Sequence, residues 1–153
     1  MEVELKLEPG RETPKLVLTA GADTPEVRAL LERLRALSPE PLTVWEGERS
    51  LRLPQEEFLR FYTQDKGVVA QDARGIYRVE QRLYELEELL DSRRFVRISN
   101  SEIINLERVT AVDLSVTGTI RMTLDGTVAA YVSRRYVKKI KETLNMGRRG
   151  RHG

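Results

Sequence analysis

Val3, Leu5 and Leu7 alternate with Glu2, Glu4, Lys6 and Glu8. A period of two puts the aliphatic set on one side of an extended chain, so the stretch predicts a half-buried strand closed by the Pro9-Gly10 turn. Lys15 to Thr19 predicts a second strand. From Pro25 the period lengthens: Val27, Leu30, Leu31, Leu34 and Leu37 share one helical face, Asp23 or Thr24 offers a cap, and proline is tolerated in a first helical turn. This helix must end before Pro39. In Ser38-Pro39-Glu40-Pro41 each proline disfavours helix in the residue before it, and the segment marks a boundary. Residues 1–38 are therefore expected to form a small β-β-α unit, ahead of a main domain at 42–146.

Past the boundary the period returns to two. Short β-like runs recur at Leu42 to Glu46, Ser50 to Leu53, Phe58 to Thr63, Val68 to Gln71 and Ile76 to Val79, separated by turns bearing glycine or aspartate. One helix interrupts them, from Gln81 to Leu90, with Leu83, Leu86, Leu89 and Leu90 as its apolar stripe. After the strand at Phe95–Ser99, runs at Val109 to Val116, Thr119 to Leu124 and Val128 to Val132 are joined through Thr117-Gly118 and Asp125-Gly126, which predicts a meander. Ser133 caps a last amphipathic helix with Val137, Ile140 and Leu144 inward. It is expected to end near Gly147 and leave residues 147–153 as a basic disordered tail. The fold class is mainly β, α+β overall.

Composition narrows the chemistry. At 153 residues the chain holds one ordinary domain plus a small unit, and no apolar run reaches the roughly 20 residues of a membrane span. The acidic start lacks the features of a signal peptide and there is no cysteine, so a cytoplasmic location is expected. The single histidine, His152, lies in the tail, the carboxylates show no metal-ligand spacing, and neither nucleotide-binding glycine fingerprint occurs. No catalysis, metal, cofactor or small-molecule substrate is expected. Charge is unevenly placed: residues 1–57 carry 8 basic and 12 acidic side chains, residues 58–153 carry 18 and 12. Arg134, Arg135, Lys138, Lys139, Lys141, Arg148, Arg149 and Arg151 face a single acid, Glu142. A basic helix end of this kind is either a solvated surface or a nucleic-acid contact.

The segment Arg93 to Leu106, RRFVRISNSEIINL, mixes apolar alternation with arginine and short amides that a plain strand does not need. With RLYELEELL upstream and VSRRYVKKIKETL downstream, it resembles the LytTR-type DNA-binding domain of bacterial response regulators and stand-alone regulators, over about Thr43 to Leu144. The resemblance implies an elongated antiparallel β domain that meets DNA through loops and strand edges. It also implies DNA-facing positions at the loop of Asp65, Lys66 and Gly67, at Ser99, Asn100 and Ser101, and at Arg134 and Arg135. Arginine can donate two bonds to a guanine edge and asparagine can pair with adenine or donate to phosphate, whereas Lys66, Lys138 and Lys139 suit phosphate. Arg135 is the expected base reader. Arg97, between Val96 and Ile98, is expected to be exposed and to touch either phosphate or a carboxylate. Asn105 is expected to satisfy backbone groups in a turn, and Tyr62 and Tyr77 to pack in the sheet.

Residues 1–38 are too few for the receiver domain of two-component members, and a unit so small cannot bury its own apolar stripe, so it is expected to dock on the main domain or on a second copy of itself, a homodimer on repeated DNA sites being favoured. The alternative is a protein-interaction module working by strand addition, with a partner such as a small membrane protein. RNA binding would need paired surface aromatics, which a 6% aromatic content does not favour.

Overall fold

The computed structural model describes residues 1–12, 14–37, 39–115 and 118–152, with side chains to Asn145. The chain divides into two compact units, Met1–Ser38 and Pro39–Gly153.

In the first unit, helix α1 spans Pro25–Leu37. Thr24 is its cap, its Oγ1 accepting from the Val27 N–H at 3.2 Å, while Asp23 pairs with Arg28 at 2.6 Å. No residue of α1 is buried. The two strands expected before it do not form. A turn closes at Arg11 N–H to Glu8 O, but Val3, Leu5, Leu7, Leu16 and Val17 stand 68–89% exposed on backbone without strand pairing. Alternation creates an apolar side, yet a strand also needs a neighbour to take its backbone hydrogen bonds, and neither segment has one here.

In the second unit all strand pairing is antiparallel. Strands β1 (Leu42–Glu46), β2 (Arg49–Leu53), β3 (Phe58–Gln64), β4 (Gly67–Asp72), β5 (Ile76–Val79), β6 (Phe95–Ser99) and β7 (Glu102–Asn105) form a sheet in the order β2-β1-β5-β4-β3-β7-β6. Strands β8 (Val109–Asp113), β9 (Ile120–Leu124) and β10 (Val128–Val132) form a three-stranded meander. Helix α2 (Leu83–Leu89) lies between β5 and β6, and α3 (Arg134–His152) follows β10. Strand β8 ends at Asp113, short of the expected run, whose last residue, Val116, falls outside the described residues together with Thr117, half of the expected turn. Helix α3 runs past Gly147 to His152, so the tail expected to be disordered is helical backbone. Arginine is a good helix former, and an established helix adds residues without a new nucleus.

Neighbouring residues of β3, β6 and β7 are buried on opposite faces, which is why these strands read as continuous apolar runs. Phe58, Phe61, Phe95 and Ile103 join one core with Leu83 and Leu86 of α2. Leu59, Ile98 and Ile104 join a second core with Ile120, Met122, Leu124 and Val132 of the meander and Ile140 of α3. Ring centroids lie 5.2 Å apart for Phe58–Phe61 and 5.7 Å for Phe61–Phe95, within the range where aromatic pairs attract. Buried amides lock the layers. Gln55 donates to Glu40 O at 3.0 Å and Leu89 O at 3.3 Å and accepts from Asp91 N–H at 3.1 Å. Asn105, fully buried, donates to Phe58 O at 2.8 Å and accepts from Glu107 N–H at 3.0 Å, the turn-satisfying role expected of it. Tyr77 is buried and Tyr62 half-buried, in keeping with sheet packing.

Candidate nucleic-acid interface

Three turns or helix ends, separate in sequence, meet at one end of the second unit. The first is the β3–β4 hairpin, where Gln64 pairs with Gly67 and the two residues between turn the chain with positive φ, 49° at Asp65 and 68° at Lys66. A two-residue loop with both φ positive matches the right-handed twist of its strands. Asp65 and Lys66 carry the left-handed backbone themselves, which holds Lys66 exposed at the tip.

The second is the β6–β7 turn. Ser99 pairs with Glu102, leaving Asn100 and Ser101 as the exposed apex. A bulge between Arg97 and Ser99 breaks the alternation of β6. Ser99 Oγ accepts from the Ser101 N–H at 3.2 Å, and Ser101 O accepts from the Thr63 N–H at 3.0 Å, tying this turn to the end of β3. Beneath it, Glu102 accepts from Arg60 at 3.2 Å, and burial pushes its carboxyl above the ordinary value while Arg60 opposes the shift.

The third is the start of α3. Ser133 N–H donates to Ile98 O at 2.9 Å, so the helix begins against β6. The hydroxyl of Tyr136 donates to Asn100 Oδ1 at 3.2 Å, joining the helix to the β6–β7 apex. Arg134 lies over Gly118, whose φ is 81° and where a Cβ would sit 3.1 Å from Arg134 Nε. Arg134, Arg135, Lys138 and Lys139 are exposed, and with Lys66 they make no ion pair among the described residues.

The structure thus gathers Ser99, Asn100, Ser101, Arg134 and Arg135 at one place, with Lys66 at the neighbouring hairpin tip and Lys138 and Lys139 one turn along α3. Arg97 takes the carboxylate partner that was one of its two expected contacts, but it is not exposed as expected. Its side chain is only 16% exposed, pairs with Glu87 of α2, and donates to Ser99 O at 2.7 Å and Asn100 O at 2.6 Å. Val96 and Ile98 do face away from it, but the face Arg97 occupies is covered by α2, which alternation within one strand cannot reveal. Sequence reasoning missed Tyr136, Glu87 and Gly118. Tyr136 stands inside the motif SRRYVKK, but its hydroxyl's partner lies 36 residues upstream.

Among the described residues no helix is long and apolar enough to cross a membrane, and no group of three or more His, Cys, Asp or Glu side chains could hold a metal.

Comparison with known proteins agrees with this geometry. The chain is 39% identical over 90 residues to an uncharacterized HTH-type transcriptional regulator of Staphylococcus aureus strain NCTC 8325, and 38% identical over 90 residues to one from strain MRSA252. Each match covers 59% of this chain, which spans 60% of the relative's length. Among the described residues the three α-helices of this chain are all separated by strands. Its fold matches the LytTr DNA-binding domain of a methyl-accepting/DNA response regulator from Bacillus cereus with a TM-score of 0.67 at 20% identity, covering 70% of this chain and 98% of that one. The model of the LytTr DNA-binding domain matches residues 48–145, and the chain belongs to that family.

Proposed function

We propose that this chain is a sequence-specific regulator of transcription that reads double-stranded DNA through loops and strand ends, as a dimer on repeated sites. The observation that carries the reading is the hydrogen bond between Tyr136 and Asn100, which brings the β6–β7 apex to the arginine-bearing start of α3. In this reading Arg135 contacts a guanine edge, and Arg134 and Asn100 contact neighbouring base or phosphate acceptors. Ser99 and Ser101 supply short polar contacts, and Lys66, Lys138 and Lys139 neutralise phosphates. Recognition from a rigid end of a β domain needs no helix laid along the major groove.

The dimer rests on residues 1–38. Met1, Val3, Leu5, Leu7, Leu16, Val17 and Leu37 are each 68–96% exposed. An aliphatic side chain carries on the order of 100 Å² of apolar surface, so seven carry on the order of 700 Å², close to the roughly 800 Å² per partner of a standard interface. A second copy is the occupant we favour, because two apolar segments without strand partners among the described residues can complete a sheet between protomers. A monomeric mass by light scattering at tens of micromolar, with and without DNA, would count against it.

The test of DNA reading is selection from a random duplex pool at about 0.15 M salt. Enriched repeats that lose definition in Arg135→Ala and Asn100→Ala support it. Binding that is absent or purely salt-driven in the intact chain sinks it. Strand addition to a protein partner, a small membrane protein among the candidates, is the second reading. It is favoured by β8, an edge strand with four exposed residues of five, and such binding would persist in salt that abolishes phosphate contacts.

A further inference from the structure

The apex at Asn100 is held from two sides by residues to which the DNA reading assigns no contact with DNA. Behind it, the Arg97 fork gives Nε to Ser99 O and Nη2 to Asn100 O, at 2.7 Å and 2.6 Å. A planar guanidinium bonded to two consecutive carbonyls fixes their relative orientation, and Glu87 of α2, bonded to Nη1, keeps the fork from turning away. Glu87 stands one turn after Leu83 on a helix that carries Leu83 and Leu86 into the first core, so the brace is anchored to the body of the domain. In front, Tyr136 commits the side chain. Its hydroxyl donates to Oδ1, and Nδ2 is left without a hydrogen-bond partner among the described residues. An exposed amide with no partner samples many orientations, whereas this one is held at its oxygen end with its two N–H groups available.

We propose that Arg97, Glu87 and Tyr136 are positioning residues that preset Asn100 as a hydrogen-bond donor toward an acceptor on duplex DNA. This rests on the DNA reading above. The acceptor is either a base-edge oxygen or nitrogen in the major groove or a phosphate oxygen, two sources with the same chemistry. Fixing the amide in advance removes an ordering cost that binding would otherwise meet, so the effect falls on the specific complex.

The test uses the full chain and two readouts. Nuclear relaxation of the Asn100 Nδ2 group without DNA should give an order parameter about that of rigid backbone, near 0.8, falling toward about 0.6 in Tyr136→Phe and in Arg97→Lys, with spectral dispersion confirming the fold. A mobile amide in the parent chain, or one equally rigid in both variants, overturns the proposal. In the second readout, the duplex most enriched by the parent chain and a scrambled duplex are titrated with each chain. Tyr136→Phe should weaken the enriched duplex about five-fold, the effect of one lost hydrogen bond, and leave the scrambled duplex unchanged. A changed base preference at one position assigns the acceptor to a base. A loss of the same size on every singly substituted version of the enriched site assigns it to a phosphate of the specific complex. Rising mobility with no loss of affinity overturns the link to recognition. If the parent chain itself enriches no duplex, the DNA reading fails along with any role of the brace in it, a result told apart because the parent and not the variant is at fault.

Discussion

Arg135 and Lys138 lie within one turn of α3, both exposed, yet their chemistry separates them. A guanidinium can satisfy two acceptors on one base, while an ammonium is a point charge that any phosphate satisfies. Arg135→Ala is expected to cost about 1–3 kcal/mol on the selected site and to relax the preference at one base pair. Lys138→Ala is expected to weaken all duplexes alike and to lower the slope of log affinity against log salt by about 1. Titration of each variant against the enriched and scrambled duplexes at several salt concentrations separates the two outcomes. If both variants only change the salt slope, Arg135 is a phosphate contact too.

At the scale of elements, two buried polar groups join strands that sequence alone does not pair. The Asn105 amide links the end of β7 to Phe58 at the start of β3 and closes the short turn that follows. Asn105→Ala leaves the Phe58 carbonyl and the Glu107 N–H without that partner and should cost about 2–3 kcal/mol in urea unfolding at neutral pH. Glu102, opposite Tyr62 in the register, has its pKa raised chiefly by burial. A carboxyl that holds its proton more tightly when folded than unfolded contributes less stability as pH rises from the ordinary carboxylate value through the raised one. Glu102→Gln should remove that slope, seen as a flatter dependence of unfolding free energy as pH rises above the ordinary carboxylate value. A steeper dependence would show that pairing with Arg60 outweighs burial.

For the whole molecule, both core clusters are built entirely from residues at or beyond Leu42. A chain beginning at Pro39 is therefore expected to fold and to melt within a few degrees of the full chain. By contrast, Phe61→Ala, which empties the centre of the first core, should cost about 3–5 kcal/mol. If residues 1–38 join two protomers, the shortened chain should also lose about a hundred-fold in affinity for repeated sites while keeping its affinity for a single half-site. Calorimetry and titration against one-site and two-site duplexes measure both effects. Equal loss on both duplexes would place residues 1–38 in the DNA contact itself.

Much of this protein was legible in its sequence because the governing interactions are local. Period two in Leu42 to Glu46 and Val128 to Val132, the leucine stripe of α2 and the inward positions of α3 depend only on which side of an element a residue occupies. The three motifs around Leu83, Phe95 and Ser133 likewise sufficed to suggest a LytTR-type domain and the exposed candidates Asn100, Arg134 and Arg135. What the sequence left open depends on neighbours that lie far along the chain. Arg97 looked exposed until α2 covered its face, Asp65 and Lys66 took a left-handed backbone that composition does not announce, and the apolar segments at Val3 and Leu16 found no strand to pair with. The hydrogen bond from Tyr136 to Asn100 spans 36 residues and follows from the packing of β10, β6 and the start of α3. Periodicity fixes which face of an element is apolar. Only tertiary packing decides what that face meets, and therefore which polar side chains are bound within the fold and which remain free to bind DNA.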